Sequence, residues 1–313
     1  MSAPADHSIH HALVAEDERF WSLVPRDAVL ERLATGAVWS EGPVYLPESG
    51  DVVWSDIPNN RMLRWSTDDG LSVHRAPSNF VNGNTLDADG RIVHCSHGAR
   101  GILRTEHDGA VTTLVDRWHG RRFNSPNDLV VRADGTIWFT DPPYGIRSND
   151  EGYQAESEIR ACNVYRFDPA DGALEVVVTD VEEPNGLAFS PDGSLLYVAD
   201  TSAAFRDDGG GNRHIRVYDV LDGRRACNGR LFAEVSPGLA DGFRLDTDGN
   251  VYTSSEDSIQ VYDANGVRLG TIPVPEKVSN CCWGGTGRNE LFVTASSSLY
   301  RIVLTAVGHG LLW

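Results

Sequence analysis

The amino-acid sequence predicts an all-β protein, a six-bladed β-propeller with four antiparallel strands in each blade. The first observation is a repeated motif in which an Asn, Asp or Glu, which we call the opener, begins a short apolar run that ends at a turn glycine. The six openers are Glu41, Asn82, Asn127, Asn185, Asp241 and Asn280. The second observation is the period, because the turn glycines follow one another at intervals of 40, 45, 58, 56 and 38 residues. Repeats of this length with four strands each are typical of propeller blades.

Each repeat shows the same order of strands. The apolar run and the segment after the turn glycine form a predicted hairpin, since glycine accepts the positive φ of a tight turn. A third strand follows, and in five repeats a second turn leads to a fourth. In the third repeat the first three segments read DLVVRADG, TIWFTD and NVYRFD.

The last repeat has only three strands, and its missing strand is predicted to come from the N-terminal region. A strand-like stretch at residues 28–34, AVLERLA, precedes the first repeat. Pairing this stretch into the last blade would close the ring and remove its exposed edges. We therefore expect an N-terminal extension over residues 1–25 and a single propeller domain over residues 26–313, closed by an N-terminal strand in the last blade.

Charge and composition argue against several classes of partner. With 45 acidic and 27 basic residues, the net charge of −18 would repel nucleic acid and anionic membrane surfaces. No apolar run approaches the roughly 18 residues needed to span a bilayer. The first twenty residues lack the basic start and apolar segment of a secretory signal, so we expect a cytoplasmic protein. Five cysteines without CxxC spacing favour free thiols over a disulfide framework.

Propeller geometry predicts where functional groups meet. If the innermost strands begin at one face, the openers converge on the axis at that face. The two longest insertions, residues 141–161 and 200–213, join second to third strands and should rim the same mouth. Loops on a rigid scaffold often carry function.

The ring of openers is predicted to bind a metal ion. Glu41 and Asp241 would both point into a narrow channel, where two carboxylates about 5 Å apart repel by roughly 3 kcal/mol at an effective dielectric constant near 20. A divalent cation would compensate this repulsion. Its predicted ligands are Glu41, Asn127, Asn185 and Asp241. Oxygen ligands favour Ca²⁺, with Mg²⁺, Mn²⁺ or Zn²⁺ as alternatives, and an incomplete ligand set leaves room for substrate.

A second interpretation of the openers stays open at this point, because any single Asn or Asp before a strand can be a turn former that bonds its own backbone. His94 and His97 lie three residues apart beside Cys95, and we interpret them as partly exposed polar residues at a strand end rather than as ligands. The sequence has neither the GxSxG of a nucleophile elbow nor the HExxH of a zinc helix.

Five segments, in this order, resemble the gluconolactonase family, which includes regucalcin, and are closest to its bacterial gluconolactonases. The segments are SEGPVYLPESGDVVWSDI, NGNTLDADGRIVHCSHG, FNSPNDLVVRADGTIWFTDPPYGI, PNGLAFSPDGSLLYVADT and DGFRLDTDGNVY. The resemblance covers about residues 37–300 and implies a six-bladed propeller with a divalent cation in its central channel. It implies that Glu41, Asn185 and Asp241 hold this cation.

The same resemblance implies roles for further residues. Asn127 would lie near both cation and substrate, and Asp241 would also transfer the proton. The arginine that binds substrate in animal members has no counterpart in this chain, because Ser125 stands at the matching position. The expected substrate-binding residues are Asn82, Asn127, Asp141 and Tyr144.

The function implied by the resemblance is hydrolysis of a small-molecule sugar lactone, D-glucono-1,5-lactone, to the open acid. Two alternatives keep the same fold. Similar propellers hydrolyse phosphotriesters or aryl esters with a metal ion, and a shared scaffold does not fix the substrate. Other propellers only bind partner proteins, in which case the axial ring would be purely structural.

Overall fold

The computed structural model describes residues 8–9 and 12–310 of the chain and confirms the predicted fold class. Six antiparallel sheets of four or five strands form within these residues, each running from an innermost strand at the axis to an outer edge. Blade 1 comprises Ser40–Leu46, Asp51–Asp56, Arg61–Ser66 and Gly70–Arg75. Blade 2 comprises Val81–Leu86, Ile92–Ser96, Gly101–Thr105 and Val111–Val115. Blade 3 comprises Leu129–Val131, Ile137–Thr140, Val164–Phe167 and Leu174–Val178.

The second half of the ring continues the pattern. Blade 4 comprises Pro184–Phe189, Leu195–Asp200, His214–Leu221 and Arg225–Glu234. Blade 5 comprises Phe243–Leu245, Val251–Thr253, Ser258–Tyr262 and Arg268–Pro273. Blade 6 begins with Val278–Gly284, Glu290–Ala295 and Ser298–Val303. Further elements are the hairpin of Arg117–Trp118 with Arg121–Arg122, α-helices at Phe20–Leu23 and Tyr144–Arg147, and a 3₁₀-helix at Ser202–Phe205. None of the helices in the described part of the chain has the length and apolar character of a transmembrane span.

The N-terminal segment closes the ring, as the sequence predicts. Leu30–Thr35 pairs antiparallel with Ser298–Val303 and is the fourth strand of blade 6. Each innermost strand contacts the innermost strands of both neighbouring blades, so blade 6 meets blade 1. Two short strands then extend the outer edges. Ser8–Ile9 pairs with the closing strand, and Val14–Ala15 pairs with Arg268–Pro273 in blade 5.

Part of the expected N-terminal extension packs beside this closure. Phe20 and Leu23, on the first helix, are buried in a hydrophobic cluster that joins blades 5 and 6. Residues 1–7 and 10–11 of the extension lie outside the described residues. The segment from residue 12 onward therefore contributes side chains to the same core as the blades it follows.

The hydrophobic core is divided among the interfaces between blades. Among the residues that the structure describes it forms six clusters, one between each pair of adjacent blades. Large aromatic side chains from second and third strands fill five of these clusters. They are Trp54, Trp138, Tyr165, Tyr197, Tyr252 and Tyr300. Because every blade is packed on both faces, the ring is a rigid frame around its axis.

Glycines directly after two openers let neighbouring innermost strands approach closely. The backbone N–H of Gly83 donates to the carbonyl of Asn127, and that of Gly186 donates to the carbonyl of Asp241, both at 2.9 Å. A Cβ atom at either glycine would collide with the same carbonyl oxygen. The lack of a side chain at these positions therefore allows openers of adjacent blades to meet at the axis.

We expect the substitution Gly186→Ala to lower the free energy of unfolding by about 1–3 kcal/mol, because the new methyl group overlaps the carbonyl oxygen of Asp241. Chemical denaturation measures this change. Gly287→Ala is the matched control, since this exposed turn residue would meet only the side chain of Asn289. Equal losses in the two variants would contradict a tight approach of blades 4 and 5 at Gly186.

Candidate active site

A cavity of about 190 Å³ at one mouth of the central channel collects openers from five blades. The openers that line it are Glu41, Asn82, Asn127, Asn185 and Asp241. Residues of the two long insertions line the same cavity, as the strand order predicts. They are Tyr144 and Glu151 from the first insertion and Thr201, Ala204 and Phe205 from the second.

Irregular strand pairing turns openers toward the axis. The register between the first and second strands shifts between Glu41 and Val44 in blade 1 and between Pro184 and Leu187 in blade 4. Such a bulge bends the strand and redirects a side chain that regular alternation would place on a blade face. Glu41 and Asn185 consequently reach the cavity.

Two carboxylates, Glu41 and Asp241, share this cavity. Oε2 of Glu41 accepts hydrogen bonds from the backbone N–H of Gly42 at 2.5 Å and from Nδ2 of Asn280 at 3.1 Å. Burial, and then the charge of Asp241, raise the pKa of Glu41 well above its usual range. Burial raises the pKa of Asp241 to about 7, although the Lys277 ammonium acts in the opposite direction. Ionisation of both carboxylates therefore requires a nearby positive charge.

The asparagine openers have amide oxygens available for a ligand. Nδ2 of Asn185 donates to Oγ1 of Thr201 at 3.3 Å, which leaves its Oδ1 for the cavity. The side chain of Asn127 is buried and makes no hydrogen bond with any residue that the structure describes. Its amide atoms are not sealed from solvent but line the cavity, where they can bind water or a ligand.

Asn280 differs from the other five openers. Its Nδ2 donates to Glu41, and its Oδ1 accepts the backbone N–H of Cys281 at 2.8 Å. Both ends of this amide are therefore used within the protein, and Asn280 does not line the cavity. It packs against Gly242, where a Cβ atom would collide with the amide. Asn280 thus supports Glu41 instead of offering a ligand.

The donor set of the cavity suits a hard divalent cation. Within residues 8–9 and 12–310, no three His, Cys, Asp or Glu side chains form a cluster that could hold a metal ion. A cation at the axis would therefore need amide oxygens in addition to the carboxylates of Glu41 and Asp241. Carboxylate and amide oxygens are the ligands that Ca²⁺ and Mg²⁺ prefer. Because one divalent ion would also balance the two negative charges that line the cavity, the residues present fit such an ion.

An aromatic wall built by the two insertions flanks the openers. The ring of Tyr144 stacks on Phe205 with centroids 5.1 Å apart. The hydroxyl of Tyr144 lies 2.5 Å from Oγ1 of Thr201. The Arg147 guanidinium lies 3.8 Å from the centroid of the Phe205 ring and forms an ion pair with Glu183. These side-chain contacts hold the two insertions together beside the cavity.

Asp141 lies outside the cavity wall, in contrast to the sequence-based expectation. Its carboxylate accepts the backbone N–H groups of Asn124 and Ser125, both at 2.9 Å. The reason is its position directly after the second strand of blade 3, where it faces the segment that leads into Asn127. Asp141 therefore fixes the backbone before an opener and does not reach the cavity itself.

The same arrangement recurs in two other blades. Asp56 accepts the backbone N–H of Val38 at 2.9 Å, and Asp200 accepts that of Glu182 at 2.8 Å. In each case the donor lies three residues before the opener of that blade. The signal in the sequence is the final Asp of DVVWSD, TIWFTD and SLLYVAD. We call Asp56, Asp141 and Asp200 the strand-end aspartates.

Several wall residues could not be identified from the sequence. The additional lining residues include Trp39, Glu151, Thr201, Phe205, Leu239 and Lys277. Of these residues, only Lys277 stands out in the sequence, because it is the only lysine of the chain. In the structure its Nζ lies 3.5 Å from a carboxylate oxygen of Glu256. The interpretation of His94 and His97 as partly exposed was wrong, because both side chains are buried.

The chain is similar to known proteins over most of its length. The family model described as the SMP-30/Gluconolactonase/LRE-like region matches residues 39–297. A gluconolactonase from Zymomonas mobilis is 33% identical over 301 residues, covering 87% of this chain and 80% of that protein. Pentonolactonase XacC from Haloferax volcanii is 27% identical over 266 residues, covering 82% of this chain and 81% of that protein. The solved structure of a gluconolactonase from Xanthomonas campestris has a TM-score of 0.88 and 37% identity, covering 97% of this chain and 98% of that one.

We expect Asp141→Asn to loosen the segment before the third opener, because an amide offers one acceptor atom where two N–H groups need two. The free energy of unfolding should fall by about 1–3 kcal/mol. Hydrogen exchange at Asn124 and Ser125, followed by mass spectrometry, should become faster. Asp108→Asn, in an exposed turn, is the control. Unchanged protection at Asn124 and Ser125 in the Asp141 variant would contradict this role.

Proposed function

We propose that this chain, which belongs to the SMP-30/gluconolactonase/LRE-like family, is a lactone hydrolase that opens a sugar lactone with the help of a divalent cation in its central channel. The observation that carries the proposal is the meeting of the buried carboxylate of Glu41, the half-buried carboxylate of Asp241 and the amide of Asn127 in one cavity. The names of the relatives support the class of reaction, since they are gluconolactonases and a pentonolactonase.

The proposed substrate is D-glucono-1,5-lactone. The cavity of about 190 Å³ is smaller than the roughly 300–1,000 Å³ of pockets for drug-sized ligands, which favours a single small ring. The amides of Asn82 and Asn127 offer hydrogen bonds to sugar hydroxyls, and the aromatic wall at Tyr144 offers a surface for the ring. A bulky phosphotriester fits this combination of size and polarity less well.

The ligands proposed for the cation are four of the openers. They are Glu41, Asn127, Asn185 and Asp241. When bound, a divalent cation supplies positive charge that stabilises the oxyanion developing at the lactone carbonyl. Ca²⁺ is proposed first because all four ligands offer oxygen, and Mg²⁺, Mn²⁺ and Zn²⁺ are the alternatives.

Asp241 is the proposed general base. Its carboxylate removes a proton from a water molecule whose oxygen attacks the carbonyl carbon of the lactone. The bond between this carbon and the ring oxygen then breaks, and the ring oxygen takes the proton from Asp241 and becomes a hydroxyl group. The water oxygen remains in the new carboxyl group, so water is the only co-reactant. A positioned acid–base group of this kind contributes about 10²- to 10⁴-fold to the rate.

Removal of divalent metal is expected to abolish hydrolysis of D-glucono-1,5-lactone, because the oxyanion loses its stabilising charge. Acid release is followed before and after chelation, with spontaneous hydrolysis subtracted. Calcium, magnesium, manganese and zinc are then added back separately, and calcium is expected to restore most activity.

The same assay separates the competing functions. Faster turnover of paraoxon or phenyl acetate than of the lactone would replace the proposal by a phosphotriesterase or aryl esterase. Absence of both bound metal and turnover would favour a propeller that only binds partners. Full activity in the chelated protein would contradict the role of the cation.

We expect Asp241→Asn to reduce kcat/KM for the lactone roughly 100- to 10,000-fold, because the isosteric amide cannot accept the proton. Circular dichroism should show an unchanged fold. Asp248→Asn, on an exposed turn, is the control and should retain activity. Turnover close to that of the wild type in the Asp241 variant would rule out this residue as the base.

A further inference from the structure

His97 connects the cavity to the insertion at residues 141–161 and has no part in the mechanism above. It directly follows the second strand of blade 2, and its side chain is buried. Nδ1 of its ring lies 2.9 Å from the backbone carbonyl oxygen of Glu151, and Nε2 lies 3.3 Å from Nδ2 of Asn82. One imidazole therefore contacts both the insertion and an opener.

The two contacts determine which nitrogen of the ring carries the proton. A carbonyl oxygen can only accept a hydrogen bond, so the proton is on Nδ1. Burial lowers the pKa of His97 to about 4, so the ring is neutral near pH 7 and Nε2 can only accept. Nδ2 of Asn82 is then the donor. This orients Oδ1 of Asn82 away from His97 and toward the cavity that Asn82 lines.

The insertion holds His97 from the opposite side. Gly145 lies so close to the imidazole that a Cβ atom would collide with the ring. Its backbone N–H donates to Oγ of Ser125 at 2.9 Å, which fixes this part of the insertion to blade 3. Further along, Tyr153 packs edge-on against Phe80, which directly precedes the first strand of blade 2, with ring centroids 5.3 Å apart. The position of His97 therefore depends on the seating of the insertion.

We infer that His97 is a positioning residue that orients the amide of Asn82, so that its oxygen accepts a hydrogen bond from a hydroxyl group of the substrate. This inference rests on the proposed function, because it assigns Asn82 to the recognition of a polyhydroxylated lactone. Asn82 itself contacts substrate, and His97 acts only through it. The insertion thereby gains a role in substrate choice, since it determines where His97 lies.

Two substitutions, each of which places an amide near one ring nitrogen, separate the contacts of His97. His97→Asn retains a donor near the Nδ1 position for Glu151 and loses the acceptor for Asn82. His97→Gln retains an acceptor near the Nε2 position. We expect His97→Asn to lower kcat/KM for D-glucono-1,5-lactone about tenfold, the size of one lost hydrogen bond, and His97→Gln to retain most activity. δ-Valerolactone, which has no hydroxyl groups, should be affected little by either variant.

A double-mutant cycle tests whether His97 acts through Asn82. In an Asn82→Ala background, His97→Asn should cause no further loss, whereas additive losses would overturn the inference. His94→Asn is the matched control, because His94 is an equally buried histidine of the same blade that bonds Asn84 and Thr105. This control is expected to lose stability but should leave the ratio of the two lactones unchanged.

A spectroscopic measurement keeps this inference separate from the proposed function. Nitrogen NMR of protein labelled at histidine, assigned with the His97→Gln variant, should show His97 neutral and protonated at Nδ1. Protonation at Nε2 would overturn the inference whatever the activity. A wild-type protein that hydrolyses no lactone would refute the proposed function. If His97→Asn lowered kcat/KM for both lactones by the same factor, only the role of His97 would be refuted.

Discussion

Two carboxylates of like charge meet in the cavity at the mouth of the central channel, and the rest of the architecture has to hold them there. Glu41 and Asp241 come from blades 1 and 5, and burial raises the pKa of both. Their repulsion favours separation of the innermost strands. This separation is opposed by the closing strand Leu30–Thr35 and by the six hydrophobic interfaces between blades in the described chain. A divalent cation would turn this repulsion into attraction, which links the stability of the ring to its chemistry.

The axis is positioned chiefly through the backbone. Gly83 and Gly186 let adjacent strands form hydrogen bonds where a side chain would collide. The strand-end aspartates accept the N–H groups of segments that lead into three openers. Bulges at the start of innermost strands then redirect the side chains. None of these contacts involves the carboxylate or amide of the opener itself. Glu, Asp and Asn can therefore occupy equivalent positions in the six blades.

Much of this structure could be predicted from the sequence, because the contacts within a blade are local and repeat with the chain. The turn glycines marked the blades, and the missing last strand pointed to the closing strand at residues 28–34, observed at Leu30–Thr35. The openers could be identified for the same reason. Their equivalence in the repeat implies a common location, and five of the six line the cavity within the described residues.

The failures concern contacts between parts of the chain that no repeat relates. Asn280 is an opener by its spacing, but its amide is used by Glu41 of the next blade. Asp141 follows a strand and precedes an insertion, and only the fold shows that it faces Asn124 rather than the cavity. His97 looked exposed because the sequence does not reveal that residues 144–152 fold over it.

The cation site and the substrate wall differ in how they are held, and this separates their functions. The openers are fixed by backbone hydrogen bonds and packed blades, whereas the insertions meet through side chains such as Tyr144, Phe205 and Arg147. A stacked pair or a partly exposed ion pair contributes about 1 kcal/mol or less, so the wall can be altered at small cost to the fold. Substitutions in the insertions, apart from Thr201, which bonds the Asn185 amide, would then change which lactone is bound while leaving the axial oxygens in place. One rigid ring can therefore serve several related substrates, with selectivity determined by the two loops that rim its mouth.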